Sequence, residues 1–155
     1  MKWSRYGFLT KEKTKQTPID PKEANVLVVE DNPANFALMA RLLAFTGIGS
    51  SEWKTSGWGV VDFAEKMGRV DLVLMDLRLP VEDGYDALRQ VRASDKLKDT
   101  LVVLVTAHGS YEEMERARAA GFDGFIAKPL SVRDFPEQIR AILRGEAVWA
   151  ADSKA

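Results

Sequence analysis

The chain has 155 residues, 46% of them hydrophobic, and a net charge of −1, which suffices for one continuous core and falls short of two ordinary domains. The near-neutral balance gives no general attraction to nucleic acid or anionic membranes, and the lack of cysteine excludes disulfides, thiolate zinc sites and cysteine nucleophiles. No segment has the apolar length of a membrane span, and residues 1–9 lack the apolar run and small-residue cleavage site of a leader, so a soluble, cytoplasmic protein is expected.

Residues 1–24 are polar and lysine-bearing, with Pro18 and Pro21 marking an N-terminal extension ahead of the domain. Trp3, Tyr6, Phe8 and Leu9 interrupt that polarity; they could dock on the domain or on a partner, against the plainer reading of a free tail. From Asn25 onward, short β-branched runs alternate with helical patterns. Val26-Leu27-Val28-Val29 reads as a strand and 33–45 as a helix, with Phe36, Met39, Ala40 and Leu43 on one face and Gly47 at its stop. A strand at 51–55 and a helix at 58–67 follow, then strand 72–75, helix 84–92, strand 101–105, helix 111–120 and strand 124–127. The charged helix at 111–120 reads as a solvated face supported by pairs such as Glu112 with Arg116. The last helix carries Phe135, Ile139 and Ile142 on one stripe, capped either by Ser131 with Asp134 or by Asp134 with Glu137. Pro136 has no amide donor, which favours the later cap or a distorted first turn. Residues 145–155 form a short tail.

Five apolar strands separated by five helices predict an α/β domain with a parallel sheet covered on both faces. Ligands of such sheets gather at the carboxyl ends of the strands, where the strand order switches. Glu30, Asp31, Asp76, Thr106 and Lys128 all follow strands directly or nearly so.

Three carboxylates converging in one cleft, Glu30, Asp31 and Asp76, repel one another unless a cation joins them. Magnesium suits them: it takes oxygen ligands and commonly uses one or two carboxylates with a phosphate oxygen. The ligand set holds no histidine, which argues against zinc. A carboxylate beside the metal can attack a phosphoryl group and form an acyl phosphate. The protein then supplies positioning and charge, Lys128 as a point positive charge and Thr106 as a hydroxyl donor.

The strings Val26-Leu27-Val28-Val29-Glu30-Asp31-Asn32, Leu72-Val73-Leu74-Met75-Asp76, Pro80-Val81-Glu82-Asp83-Gly84, Leu104-Val105-Thr106-Ala107 and Ala127-Lys128-Pro129 stand in order on this alternation. In them the chain resembles the receiver domain of two-component response regulators, over residues 25–144. The resemblance implies a flavodoxin-like, CheY-like fold, a doubly wound five-stranded parallel sheet in the order 2-1-3-4-5 with five helices. It further implies that Asp76 is the phosphoacceptor. Asp31 would bind Mg2+ directly, Glu30 through water or as a second ligand, and the Arg78 backbone carbonyl would complete the protein's share of the metal site. Thr106 and Lys128 would contact the phosphoryl oxygens, the Lys128–Pro129 bond would be cis, and Phe125 would be the switch aromatic that follows Thr106 inward. Phe125 lacks the hydroxyl of the commoner tyrosine, so its outward state would offer an apolar surface only.

Arg78 and His108, two residues after the aspartate and the threonine, occupy positions that influence hydrolysis of the phosphoryl group in receivers; the plainer reading is two exposed, solvated side chains. His108 is the one histidine of the chain, so the phosphoryl group must come from a sensor histidine kinase, a phosphotransfer protein or a small donor such as acetyl phosphate. The expectation is a stand-alone regulator, not an enzyme beyond its own phosphorylation and dephosphorylation. It would signal through protein contact or phosphorelay, with a homodimer through the face of the fourth helix, fifth strand and fifth helix as one option. The alternative is a phosphorylation-independent adaptor. A phosphatase or nucleotide enzyme is disfavoured, because neither a Walker loop nor Gly-x-Gly-x-x-Gly is present.

Overall fold

The apolar runs from Asn25 onward all become strands of one sheet, and the helical patterns between them cover both of its faces. The computed structural model describes residues 18–152 in full and, by backbone alone, two short strands before them, β1 (Lys2–Trp3) and β2 (Leu9–Lys13). Tyr6, Phe8 and the side chains of Trp3 and Leu9, singled out for docking, lie outside the described residues. The remaining strands are β3 (Asn25–Val29), β4 (Ser50–Lys54), β5 (Leu72–Met75), β6 (Leu101–Thr106), β7 (Gly124–Ala127) and β8 (Glu146–Ala150). The helices between them are α1 (Pro33–Thr46), α2 (Val60–Lys66), α3 (Gly84–Ala93), α4 (Tyr111–Ala120) and α5 (Phe135–Leu143).

Strands β4-β3-β5-β6-β7 are parallel and reproduce the expected order 2-1-3-4-5. The sheet does not stop there, which corrects the expectation of five strands. The segment expected as a tail turns at Gly145 (φ 92°) and returns as β8, a sixth parallel strand on the edge of β7. Strand β2 then pairs antiparallel with β8, and β1 with β2. In β8, Ala147 and Trp149 face one layer and Val148 the other, all three buried. Two of its four apolar side chains are alanines and no helical segment precedes another strand beyond it, so the run did not read as a strand; its burial depends on the neighbours already in place. The edge of β7, which a dimer through the fourth helix, fifth strand and fifth helix would present, is therefore paired within the chain.

Two cores result, because successive strand residues point to opposite faces. Leu27, Val73, Met75, Val102, Leu104 and Phe125 pack under α2, α3 and α4, whereas Val26, Val28, Leu72, Leu74 and Val103 pack under α1 and α5. Helix α1 starts where the Asn32 side chain accepts the N–H groups of Ala34 and Asn35, and ends at Gly47 in the left-handed region. Its buried residues are Met39, Leu42, Leu43 and Thr46. Helix α5 has the distorted start that Pro136 foretold: Asp134 already has helical angles and makes no side-chain cap, while Ser131 Oγ accepts the Asp134 N–H one turn earlier. In α4 the ion pairs join Glu113 to Arg116 and Glu115 to Arg118, one residue tighter than the Glu112–Arg116 spacing expected. Among the described residues no helix is long and apolar enough to cross a membrane.

Candidate metal and phosphoryl site

Parallel register places Val29 beside Met75, so the residues that follow, Glu30 and Asp76, meet at the carboxyl edge of the sheet. Their backbones are fixed by the same ladders: Asp76 N–H donates to the Val29 carbonyl at 3.0 Å and Glu30 N–H to that of Lys54 at 3.0 Å. One carboxylate oxygen each of Glu30, Asp31 and Asp76 lies within 4.8 Å of the others. The three differ in burial: Glu30 is 1% exposed, Asp76 half-buried and Asp31 exposed.

Lys128, just past β7, closes the cluster. Its Nζ donates to Glu30 Oε2 at 2.7 Å and to Asp76 Oδ2 at 3.0 Å. Burial by itself would lower the pKa of this ammonium, but the hydrogen bonds and negative charges of Glu30 and Asp76 outweigh it and hold the pKa above the ordinary lysine value. The other oxygens take backbone donors, Glu30 Oε1 from Asn32 N–H at 3.1 Å and Asp76 Oδ1 from Arg78 N–H at 3.2 Å. One ammonium against three carboxylates leaves an excess of negative charge on an all-oxygen donor set. That chemistry fits a hard divalent cation.

Thr106 ends β6, fully buried, with Oγ1 accepting the His108 N–H at 3.0 Å. Lys128 N–H in turn donates to the Thr106 carbonyl at 2.8 Å, tying the two residues, and the Lys128–Pro129 peptide bond is cis. Phe125 is wholly buried in the core on the α4 side, beside Trp149 in the register of β7 and β8. The structure thus gathers Glu30, Asp31, Asp76 and Lys128 into one cluster. It leaves the side chains of Arg78 and His108 exposed, and it brings the backbone N–H of Arg78 onto Asp76.

Two contributors were not anticipated from sequence. Trp53 of β4 donates its indole N–H to the Glu30 carbonyl at 2.7 Å and stacks on Phe36 of α1, centroids 4.4 Å apart and rings 6° from parallel. Its signal was a lone large aromatic in the otherwise polar run Ser51-Glu52-Trp53-Lys54. Behind Asp76, Gly84 permits a close approach: a Cβ there would lie 2.8 Å from the Asp76 carbonyl oxygen. Beside Lys128 opens a hollow of about 320 Å³, lined by Asn35, Leu38, Met39, Ala107, Pro129 and Leu130.

Comparison with known proteins agrees with this arrangement. A family model described as "Response regulator receiver domain" matches residues 26–140. The polar-differentiation response regulator DivK of Brucella anthropi is 34% identical over 119 residues, 77% of this chain and 95% of that protein. The probable methanogenesis regulatory protein FilR2 of Methanothrix harundinacea is 34% identical over 123 residues, 76% of this chain and 79% of that protein. Among solved structures, the receiver domain of sensor histidine kinase PA1611 from Pseudomonas aeruginosa, with a magnesium ion coordinated in its active-site cleft, superposes with a TM-score of 0.68. It is 32% identical and covers 79% of this chain and 98% of that one. The chemotaxis response regulator CheY4 of Vibrio cholerae (TM-score 0.69, 24% identical, 77% and 98% covered) shares the fold. With the profile spanning residues 26–140 and a 34% identical relative matched over 95% of its length, the chain belongs to the response regulator receiver domain family.

Proposed function

We propose that this receiver accepts a phosphoryl group on Asp76 from a phosphohistidine donor, with Mg2+ held by Glu30, Asp31, Asp76 and the backbone carbonyl of Arg78. The observation that carries the reading is the Lys128 ammonium seated between Glu30 and Asp76 within a three-carboxylate cluster. Bound there, Mg2+ would neutralise charge on the phosphoryl oxygens. An Asp76 carboxylate oxygen attacks phosphorus, the P–N bond of the donor breaks, and its imidazole leaves with the bonding pair. Lys128 then exchanges its contact with Asp76 for a phosphoryl oxygen, and the Thr106 hydroxyl donates to another. Arg78 and His108, exposed near this centre, would impede attacking water and prolong the acyl phosphate.

The donor is a sensor histidine kinase, a phosphotransfer protein or acetyl phosphate, and the setting is the cytoplasm. The hollow beside Lys128, between α1 and the segment at Pro129, gives a protein donor an apolar foothold next to the acceptor. Output passes through protein contact or phosphorelay.

Incubation with acetyl phosphate and Mg2+, followed by intact mass, tests the reading. One phosphoryl group is expected on the wild type, none on Asp76→Asn, and none when EDTA removes the metal. Failure to label under conditions that label a control receiver would favour a phosphorylation-independent adaptor. Dephosphorylation rates of Arg78→Ala and His108→Ala equal to wild type would remove the lifetime role of those side chains.

A further inference from the structure

Strand β8 lies outside the five strands that carry the phosphoryl site, yet it is tied to that site at two points. Trp149 pairs with Phe125 in parallel register, and both side chains belong to the core on the α4 side. Just past the strand, the backbone N–H of Asp152 donates to the carbonyl of Gly109 at 2.6 Å. Gly109 sits in the loop 107–110 that joins Thr106 to α4. This loop has no slack: a Cβ on Gly109 would lie 2.4 Å from Ala127 Cβ and 3.5 Å from Asp152 Cβ. Thr106 holds the start of the loop through the His108 N–H on its Oγ1.

The hold of β8 on the sheet is short and imperfect. Its ladder to β7 pairs only Phe125 with Trp149 and Ile126 with Ala150. The guanidinium of Arg118, on α4, lies 4.6 Å over the Trp149 ring, and its Nε is buried without a hydrogen-bond partner. Separation of β8 from β7 would return that N–H to water, so the contact forfeits part of what the cation over the ring contributes.

We infer that β8 is a strap whose hold on β7 depends on the phosphoryl state of Asp76, an inference that rests on the phosphoacceptor reading above. A phosphoryl oxygen on Asp76 draws the Thr106 hydroxyl toward it. The turn from Thr106 to His108 moves with that hydroxyl, and Gly109, wedged between Ala127 and Asp152, cannot follow without breaking the Asp152 hydrogen bond. The same movement opens space next to Phe125, the residue against which Trp149 is registered. Both changes loosen one strand. Because β2 pairs with the opposite edge of β8, the two strands leave β7 together and uncover an edge that is otherwise closed. Signal output therefore runs through the C-terminal strand.

Hydrogen exchange read by mass spectrometry on the full chain tests this, with the phosphoryl content of Asp76 measured in parallel by intact mass. Amides at 147–150 are expected to exchange about tenfold faster in the phosphorylated protein, while β3 and α1 stay unchanged. Phosphorylated Asp76 with unchanged or slower exchange in β8 overturns the strap and leaves the phosphoacceptor reading standing. No phosphoryl group on Asp76 overturns both. Asp152→Pro, which removes the latching N–H far from the core, is expected to reproduce the fast exchange without phosphate; wild-type exchange in that variant overturns the latch.

Discussion

Lys128 donates to Asp76 at 3.0 Å across 52 positions of sequence, and the same ammonium is the counter-charge of Glu30. Its positive charge sits among carboxylates that could hold a divalent cation, so lysine and metal compete for the negative charge of the cluster. For Lys128→Met we expect Mg2+ to bind more tightly while Asp76 labelling slows at least about tenfold, because the positive charge beside Asp76 is gone. Without metal, the variant should lose about 3 kcal/mol, since Glu30, 1% exposed, keeps a buried charge with no counter-charge and only the Asn32 N–H as donor. Saturating Mg2+ should restore part of that loss by binding only the folded state. Calorimetric Mg2+ titration, labelling rates by intact mass, and urea melts with and without metal check these outcomes; weaker metal binding in the variant would contradict the competition.

Trp53 fixes the acidic segment from the neighbouring strand. Its indole N–H is the donor seen on the Glu30 carbonyl, and its ring is clamped on Phe36. Trp53→Phe keeps the stack and deletes the hydrogen bond, a change worth about 1 kcal/mol. If that energy serves to hold the carboxylates in place, Mg2+ affinity falls about fivefold. A variant with the same loss of stability and unaltered Mg2+ affinity would reduce Trp53 to a packing residue.

The parallel core of the fold was readable because its strands are apolar on both faces and are punctuated by helices, as in Leu72-Val73-Leu74-Met75 before Asp76. The pocket was readable for the same reason: residues that end such strands meet whatever lies between them. Strand β8 was not, because Glu146-Ala147-Val148-Trp149-Ala150 acquires its burial from Phe125 and Arg118, which are distant in sequence. Nor did composition announce the backbone of Val81, which has φ 73° at the centre of a turn closed by the Glu82 N–H on the Pro80 carbonyl. That conformation is rare for a β-branched residue and is imposed by the surrounding loop. Trp53 was visible as an oddity in a polar strand, but its partner Glu30 became evident only through the pairing of β3 with β4.

Gly84 opens α3 directly behind Asp76. Its N–H donates to the Leu77 carbonyl at 2.9 Å, and a Cβ would fall 2.8 Å from the Asp76 carbonyl oxygen and 3.2 Å from Leu77 Cα. Both obstacles are backbone atoms, which cannot rotate aside. Gly84→Ala should therefore cost about 1–3 kcal/mol through overpacking and slow Asp76 labelling as the aspartate shifts. Chemical denaturation and labelling rates measure the two effects, and a stable variant with normal labelling would show that the loop yields.

Tyr85 joins α3 to α4: its hydroxyl donates to Glu113 Oε2 at 2.5 Å, and its ring meets Phe122 edge to face at 5.7 Å. Burial, then the hydrogen bond to Glu113 and the charge of that carboxylate, push the phenol well above the ordinary tyrosine range, against a smaller pull from Arg116. The folded state therefore holds the proton more tightly than the unfolded chain. Its contribution is complete below the unfolded value of about 10 and is lost as pH rises from there toward the folded value. Tyr85→Phe removes that contribution at every pH. At pH 8 the variant should be less stable by about 1–2 kcal/mol, as expected for a hydrogen bond to a charged group. At pH 11 the gap should narrow, because the wild type is already losing what the variant lacks. Urea midpoints of both proteins at the two pH values decide the matter: a gap that stays constant or widens would mean that the Tyr85 proton is held no more tightly in the folded state than in the unfolded one.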